Sequence, residues 1–173
     1  MATYTTQLEA VNSMLGHIGE SPVNSISDTA AVPVSVSVAI AALNEVSKDV
    51  QSEGWHFNTE TGVKYSPTGG SITVPADIIQ FDPIDTSLDI VQRGATLFDR
   101  KNNTTTFTSE LTVNQMRLLD WDSLPEAARR YITLKASRVF QGRIIGSREL
   151  ESLIARDEYV ARANLLEADG STS

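Results

Sequence analysis

The 173 residues are enough to bury a sizeable core, and 40% hydrophobic with 21% charged residues is the balance of a folded domain, which excludes wholesale disorder. With no cysteine, a disulfide framework, a thiolate metal site and a cysteine nucleophile are all excluded. A net charge of −8 suits poorly a protein that grips nucleic acid by its phosphates, and no stretch approaches the roughly 18 unbroken apolar residues of a membrane span.

The opening Met1-Ala2-Thr3-Tyr4-Thr5-Thr6-Gln7 has neither the basic nor the apolar region of a signal peptide. The chain is therefore expected to be made in a cytoplasm and used there, or in something assembled there. Thr6-Gln7-Leu8-Glu9 has the form of a capping box, and Leu8, Val11, Met14, Leu15 and Ile18 follow at helical spacing, with Gly19 as the stop and Pro22 beyond it. Val32, Val34, Val36 and Val38 alternate as in a strand, but the run from Ala39 to Val46 is helical in composition. A second helix is predicted from Val34 to Glu53, with Pro33 suited to its first turn, Ile40, Leu43, Val46, Ser47 and Val50 on one face, and Gly54 as terminator.

From Trp55 to Leu119 the texture changes to short β-branched runs punctuated by glycine and proline. Val63–Tyr65, Ser71–Val74 and Leu88–Gln92 are the clearest strand candidates. Ala95–Asp99 and Thr105–Thr108 flank Arg100-Lys101-Asn102-Asn103-Thr104, whose asparagines tolerate left-handed turns, so a β-hairpin is predicted there, followed by a strand over Leu111–Leu118. Trp55 and Phe57 read as alternating core rings of a strand in preference to a stacking platform for bases or sugars.

Ser123-Leu124-Pro125-Glu126 again has capping-box chemistry and opens a third helix, predicted to present Ile132, Ala136, Val139 and Phe140 as its apolar stripe and its bases outward, and to end near Gly146. Ser147 caps a fourth helix in which Leu150, Leu153, Ile154, Asp157, Val160, Ala161 and Asn164 share the inner side, and Arg148, Glu151, Arg156, Glu158 and Arg162 the outer. The resulting expectation is an α+β fold, a four-helix core with a β-rich insertion between helices 2 and 3. As a single domain it comprises helices 1 and 2 in 1–54, the insertion in 55–122, helices 3 and 4 in 123–168, and a frayed tail in 169–173.

Charge is uneven along the chain. Residues 124–146 carry 5 bases and 1 acid, and residues 147–173 carry 3 bases and 6 acids. Arg129, Arg130, Arg138 and Arg143 are expected to pair with acids of neighbouring helices or subunits, such as Glu149, Glu151, Asp157 and Glu158. The competing reading is a nucleic-acid patch built from Arg129, Arg130, Lys135, Arg138 and Arg143.

Catalytic chemistry finds little footing. His17 and His56 lack partners at ligand spacing, and the serines lack a nucleophile elbow. Gly69-Gly70 sits in no phosphate-binding motif. Asp82 with Asp85, and Asp120 with Asp122, are carboxylate pairs of the kind a glycan hydrolase uses, but any chain with 22 acids offers such pairs, and turn-like surroundings favour solvated loop acids. No catalytic, metal or cofactor site is expected, and the residues point to an interaction protein.

Four stretches resemble the tail tubular protein A family of T7-like podoviruses. They are Ala10-Val11-Asn12-Ser13-Met14-Leu15-Gly16-His17-Ile18-Gly19-Glu20-Ser21-Pro22-Val23, Val50-Gln51-Ser52-Glu53-Gly54-Trp55-His56-Phe57-Asn58, Leu97-Phe98-Asp99-Arg100, and Leu124-Pro125-Glu126-Ala127-Ala128-Arg129-Arg130-Tyr131-Ile132 continuing to Lys135-Ala136-Ser137-Arg138. Four in register, with matching order and gaps, make the resemblance fairly specific, while residues 65–86 and the C-terminal tail agree least. The resemblance implies a virion protein, assembled in the host cytoplasm. It would form a dodecameric ring at the head-to-tail interface, with portal protein above, a tail nozzle protein of the tail tubular B type below, and DNA passing through without specific binding. It carries no catalytic residues over, and an envelope polysaccharide or peptidoglycan hydrolase is the alternative. An acidic wall fits a channel, because a basic lining would hold DNA, with its one charge per about 1.7 Å, through counterion release. The expected partner or subunit contacts are Arg100, Lys101, Asn102 and Asn103 in the insertion, Arg129, Arg130 and Arg138 on helix 3, and Glu149, Glu151, Asp157 and Glu158 on helix 4.

Overall fold

A computed structural model describes residues 3–173; Met1 and Ala2, and the signal-peptide reading as it bears on them, lie outside the described residues. The element order is α1 (Gln7–His17), α2 (Val34–Gln51), β1 (Thr59–Tyr65), β2 (Ile78–Pro83), β3 (Ile90–Arg93), β4 (Thr96–Asp99), β5 (Leu111–Arg117), α3 (Glu126–Ile144) and α4 (Arg148–Thr172), with 3-10 turns at His56–Asn58 and Trp121–Ser123. Four helices with a small antiparallel sheet inserted between the second and third make an α+β fold. The chain divides into two compact units, one of the chain up to Phe57 with Asp120–Ser173, the other Asn58–Leu119.

In the helical unit α3 is the centre, packed by α1, α2 and α4. The capping box of α1 is formed in both directions: Glu9 N–H donates to the Thr6 hydroxyl and Thr6 N–H to the Glu9 carboxylate. Gly19, at φ +76°, takes the left-handed conformation that ends the helix. The buried side of α2 is Val36, Ala39, Leu43, Val46 and Val50, with Ile40 only half-buried. The strand-like alternation of its valines is overridden because every third or fourth residue meets the α1–α3 surface.

Five features of this unit correct the sequence reading. No capping box opens α3: Pro125 is its N-cap without a side-chain hydrogen bond, and the Glu126 carboxylate instead accepts from the N–H and hydroxyl of Thr5. Its stripe is a near-complete cylinder, since Tyr131, Ile132, Thr133, Leu134, Ala136, Ser137 and Phe140 are all buried, and so is Arg129, which was expected to face outward. On α4 the inner face is rotated from the predicted one. Ile154, Ala161 and Leu165 are buried and Glu158 and Arg162 flank them, whereas Leu153, Asp157 and Val160 are exposed. The supposed tail is helical to Thr172, because Leu165 seats in the core and the Asp169 carboxylate accepts the His56 N–H. Buried Trp55 and half-buried Phe57 do stack, at 6.2 Å, but from the loop and 3-10 turn after α2 in place of the expected strand, and the Trp55 indole N–H donates to the Val50 carbonyl.

In the β unit the central strand is β5, with β1 and β2 antiparallel on its two sides. A bulge between Glu60 and Val63 lets Gly62, at φ +68°, donate its N–H to the Asn114 side chain. β2 went unrecognised in sequence. A second irregularity between Ile78 and Gln80 breaks its alternation, and its terminal Pro83 is tolerated because β2 is an edge strand. Ser71–Val74 is no strand; it forms only isolated bridges at Ser71 and Thr73. The hairpin is β3–β4, paired from Ile90–Asp99 to Arg93–Thr96, so Thr105–Thr108 is not a strand and the 100–104 segment is a turn closed by one bridge, Asp99 to Thr104. Ile72, Val74, Ile78, Leu97, Leu111 and Val113 form this unit's core.

Candidate interaction surfaces

The bases of α3 are mostly matched within the chain. Arg138 sits between Glu158 and Glu151 of α4, its Nη1 3.9 Å from Glu151, and its pKa is raised, chiefly by the hydrogen bond to Glu158. Arg143 pairs with Glu45 of α2 at 2.8 Å. Arg129 has a different role: its guanidinium, 4% exposed, donates to the carbonyls of Leu124, Thr5 and Asp122. With the Trp121 indole and the Glu126 carboxylate it pins the N-terminal segment to the start of α3. A buried cation spent on three carbonyls is closed to any partner. Arg130 is exposed, as are Glu149, Glu151 and Asp157, while Glu158 is largely covered by Arg138. Of the five bases of the nucleic-acid reading, Arg129 is thus buried and Arg138 and Arg143 are paired with acids of α4 and α2.

In the β unit the Arg100–Asn103 turn is exposed yet ordered from within. The Asp99 carboxylate accepts from the N–H groups of Lys101 and Asn102 and from the Asn102 side-chain amide, which together hold its pKa below the usual carboxylate range. Asn103 adopts φ +51°, the left-handed conformation its residue type tolerates, and Arg100 lies 3.6 Å from Asp89. The backbone is fixed while the side chains of Arg100 and Lys101 stand outward, an arrangement suited to recognition.

A chain of polar groups ties the sheet together. The Tyr65 hydroxyl donates to Gln115, Gln115 donates to Glu60, and Arg117 bridges Glu60 and Asp77. The Arg117 hydrogen bond, then that of Gln115, lowers the Glu60 pKa, and the Arg117 pKa is raised in return. Burial raises that of Tyr65. Every one of these groups has a partner in place, so this is structural chemistry.

The carboxylate pairs are exposed, Asp82 and Asp85 on the β unit and Asp120 and Asp122 on the helical one. A glycosidic general acid needs its pKa raised, whereas that of Asp85 is lowered by hydrogen bonds from the Ser87 hydroxyl and N–H. Among the described residues no three His, Asp or Glu side chains are gathered as a metal requires, and no helix is long and apolar enough to cross a membrane.

Missed in sequence is the outward apolar surface of α4: Leu153, Val160 and Leu166 are 57%, 53% and 52% exposed and Tyr159 78%. Their spacing reads equally well as core, and only the seating of Ile154, Ala161 and Leu165 shows which side is inward.

A family model described as tail tubular protein matches residues 8–173, through both units. No curated protein matches the chain. The chain belongs to the tail tubular protein family, structural components of phage tails.

Proposed function

We propose that this protein is the ring-forming adaptor between portal and tail nozzle of a short-tailed phage, with DNA passing through its centre. The observation that carries the reading is the family match running through both units, so that the helical core and the β unit belong to one structural tail component. The in-chain pairing of Arg138 and Arg143 and the burial of Arg129 support a passive channel, since they remove the charges that would hold DNA by counterion release. The ring is built by the helical unit, whose packed helices fix one subunit's geometry better than loops do. The ordered turn Arg100–Asn103 meets one of the two larger assemblies.

Electron microscopy of the purified protein, with pull-down of portal and of nozzle protein, tests this. Rings that capture both partners are expected, and replacing Arg100–Asn103 by a short glycine turn should leave the rings and remove capture of one partner. A chain that forms no ring and retains neither partner overturns the reading.

A further inference from the structure

The outward side of α4 carries an exposed stripe at alternating four- and three-residue spacing: Glu149, Leu153, Arg156, Val160, Ala163 and Glu167. This is the spacing at which one helix packs along another. The charges on the inner side are spent within the chain, Glu158 on Arg138 and Arg162 on Glu53. Among the described residues, Arg148 and Arg156 make no ion pair. Apolar side chains half in water, bordered by unmatched charges, mark a face whose partner lies outside the chain.

α2 presents an outward stripe of the same spacing and the opposite relief: Val34, Ser37, Ala41, Asn44 and Lys48, all exposed. Set antiparallel with Glu149 against Lys48, the two stripes match along their length. In that register Arg148 would face Asp49, Leu153 would face Asn44, Arg156 would cross Ala41, Val160 would face Ser37 and Ala163 would face Val34. Opposite charges would face each other at one end, and at the other one partner of each pair is small, Ser37 under Val160 and Ala163 under Val34. α2 and α4 both pack on α3 and each turns this stripe away from it, so the two stripes are distinct surfaces of one chain, and a contact between them in two copies is heterologous, as a ring requires.

We propose that the outward stripe of α4 packs antiparallel on the outward stripe of α2 in a second copy of this chain, and that this contact is the seam of the ring. The inference rests on the ring reading above. It is tested with the full chain carrying Leu153→Asp and Val160→Asp together, and separately with Ala41→Arg. These positions are exposed, so circular dichroism and melting temperature should match the wild type. Should the first variant lose helicity, Ala163→Arg carries the same test.

On light scattering and in micrographs each variant alone should lose its rings and run as a monomer. An equal mixture should form pairs, since one intact seam can join an unaltered α4 to an unaltered α2. Rings that persist in either variant overturn the seam while leaving the adaptor reading standing. Rings that persist but lose portal or nozzle capture overturn it too, by assigning the stripe to that partner. A wild-type chain that forms no ring overturns this inference and the adaptor reading together.

Discussion

The two units solve the same problem at different scales. In the helical unit the centre is α3, 19 residues long with ten of them buried, and its buried hydroxyls are satisfied on the helix itself. The Thr133 hydroxyl donates to the Arg129 carbonyl and the Ser137 hydroxyl to that of Thr133. In the β unit the centre is β5, seven residues long, and its polar groups reach across the sheet: Gln115 and Arg117 hold Glu60 of β1 and Asp77 ahead of β2. Stability of the first therefore rests on apolar packing, which is local and dense. In the second a polar chain between strands distant in sequence adds register to a small core.

Breaking the centre of the helical unit should have the largest effect. Ile132→Asp places an unpaired carboxylate where exposure is zero, a cost of several kcal/mol, and no soluble folded protein is expected. Recovery of soluble protein with an unchanged melting temperature would mean that α3 does not organise this unit.

The two arginine clamps sharpen the comparison. Arg129→Ala leaves the buried carbonyl of Leu124 and the partly buried one of Asp122 without this donor and should destabilise by about 2–4 kcal/mol. Arg117→Ala removes a clamp whose own side chain is 28% exposed and whose acids Glu60 and Asp77 are 38% and 45% exposed, so solvent screening reduces its effect to about 1 kcal/mol. Urea unfolding of the two variants measures both, and an equal or reversed order would refute the ranking of buried over half-exposed charge.

The smallest effect belongs to the turn. Since the Asp99 pKa is lowered in the folded chain, the turn is held at pH values above the ordinary carboxylate pKa of about 3.9 and loosens as pH falls through the lower folded value. Asp99→Asn removes the charge at every pH. Faster amide hydrogen exchange at Lys101 and Asn102 is expected with no change in melting temperature; unchanged exchange would show that the turn is held by other contacts.

Much of this was legible beforehand where the signal is short-range. The Thr6–Glu9 capping box, the Gly19 stop and the Ser147 cap each involve residues within one or two turns of helix, so neighbouring residue types suffice to specify them. The left-handed Asn103 was legible for the same reason. The same periodicity left open which side of α4 faces inward, because Leu153 and Val160 fit the helical repeat as well as Ile154 and Ala161 do.

The sequence by itself thus determined four helices and an inserted β module. Only the tertiary structure decided that Arg129 is buried, that β2 is a strand beside β5, that Asp169 caps His56 from 113 residues away, and that α4 turns Leu153 and Val160 outward. Helix caps and turns are fixed by bonds between near neighbours, whereas burial and strand pairing depend on partners far along the chain, which no local window contains.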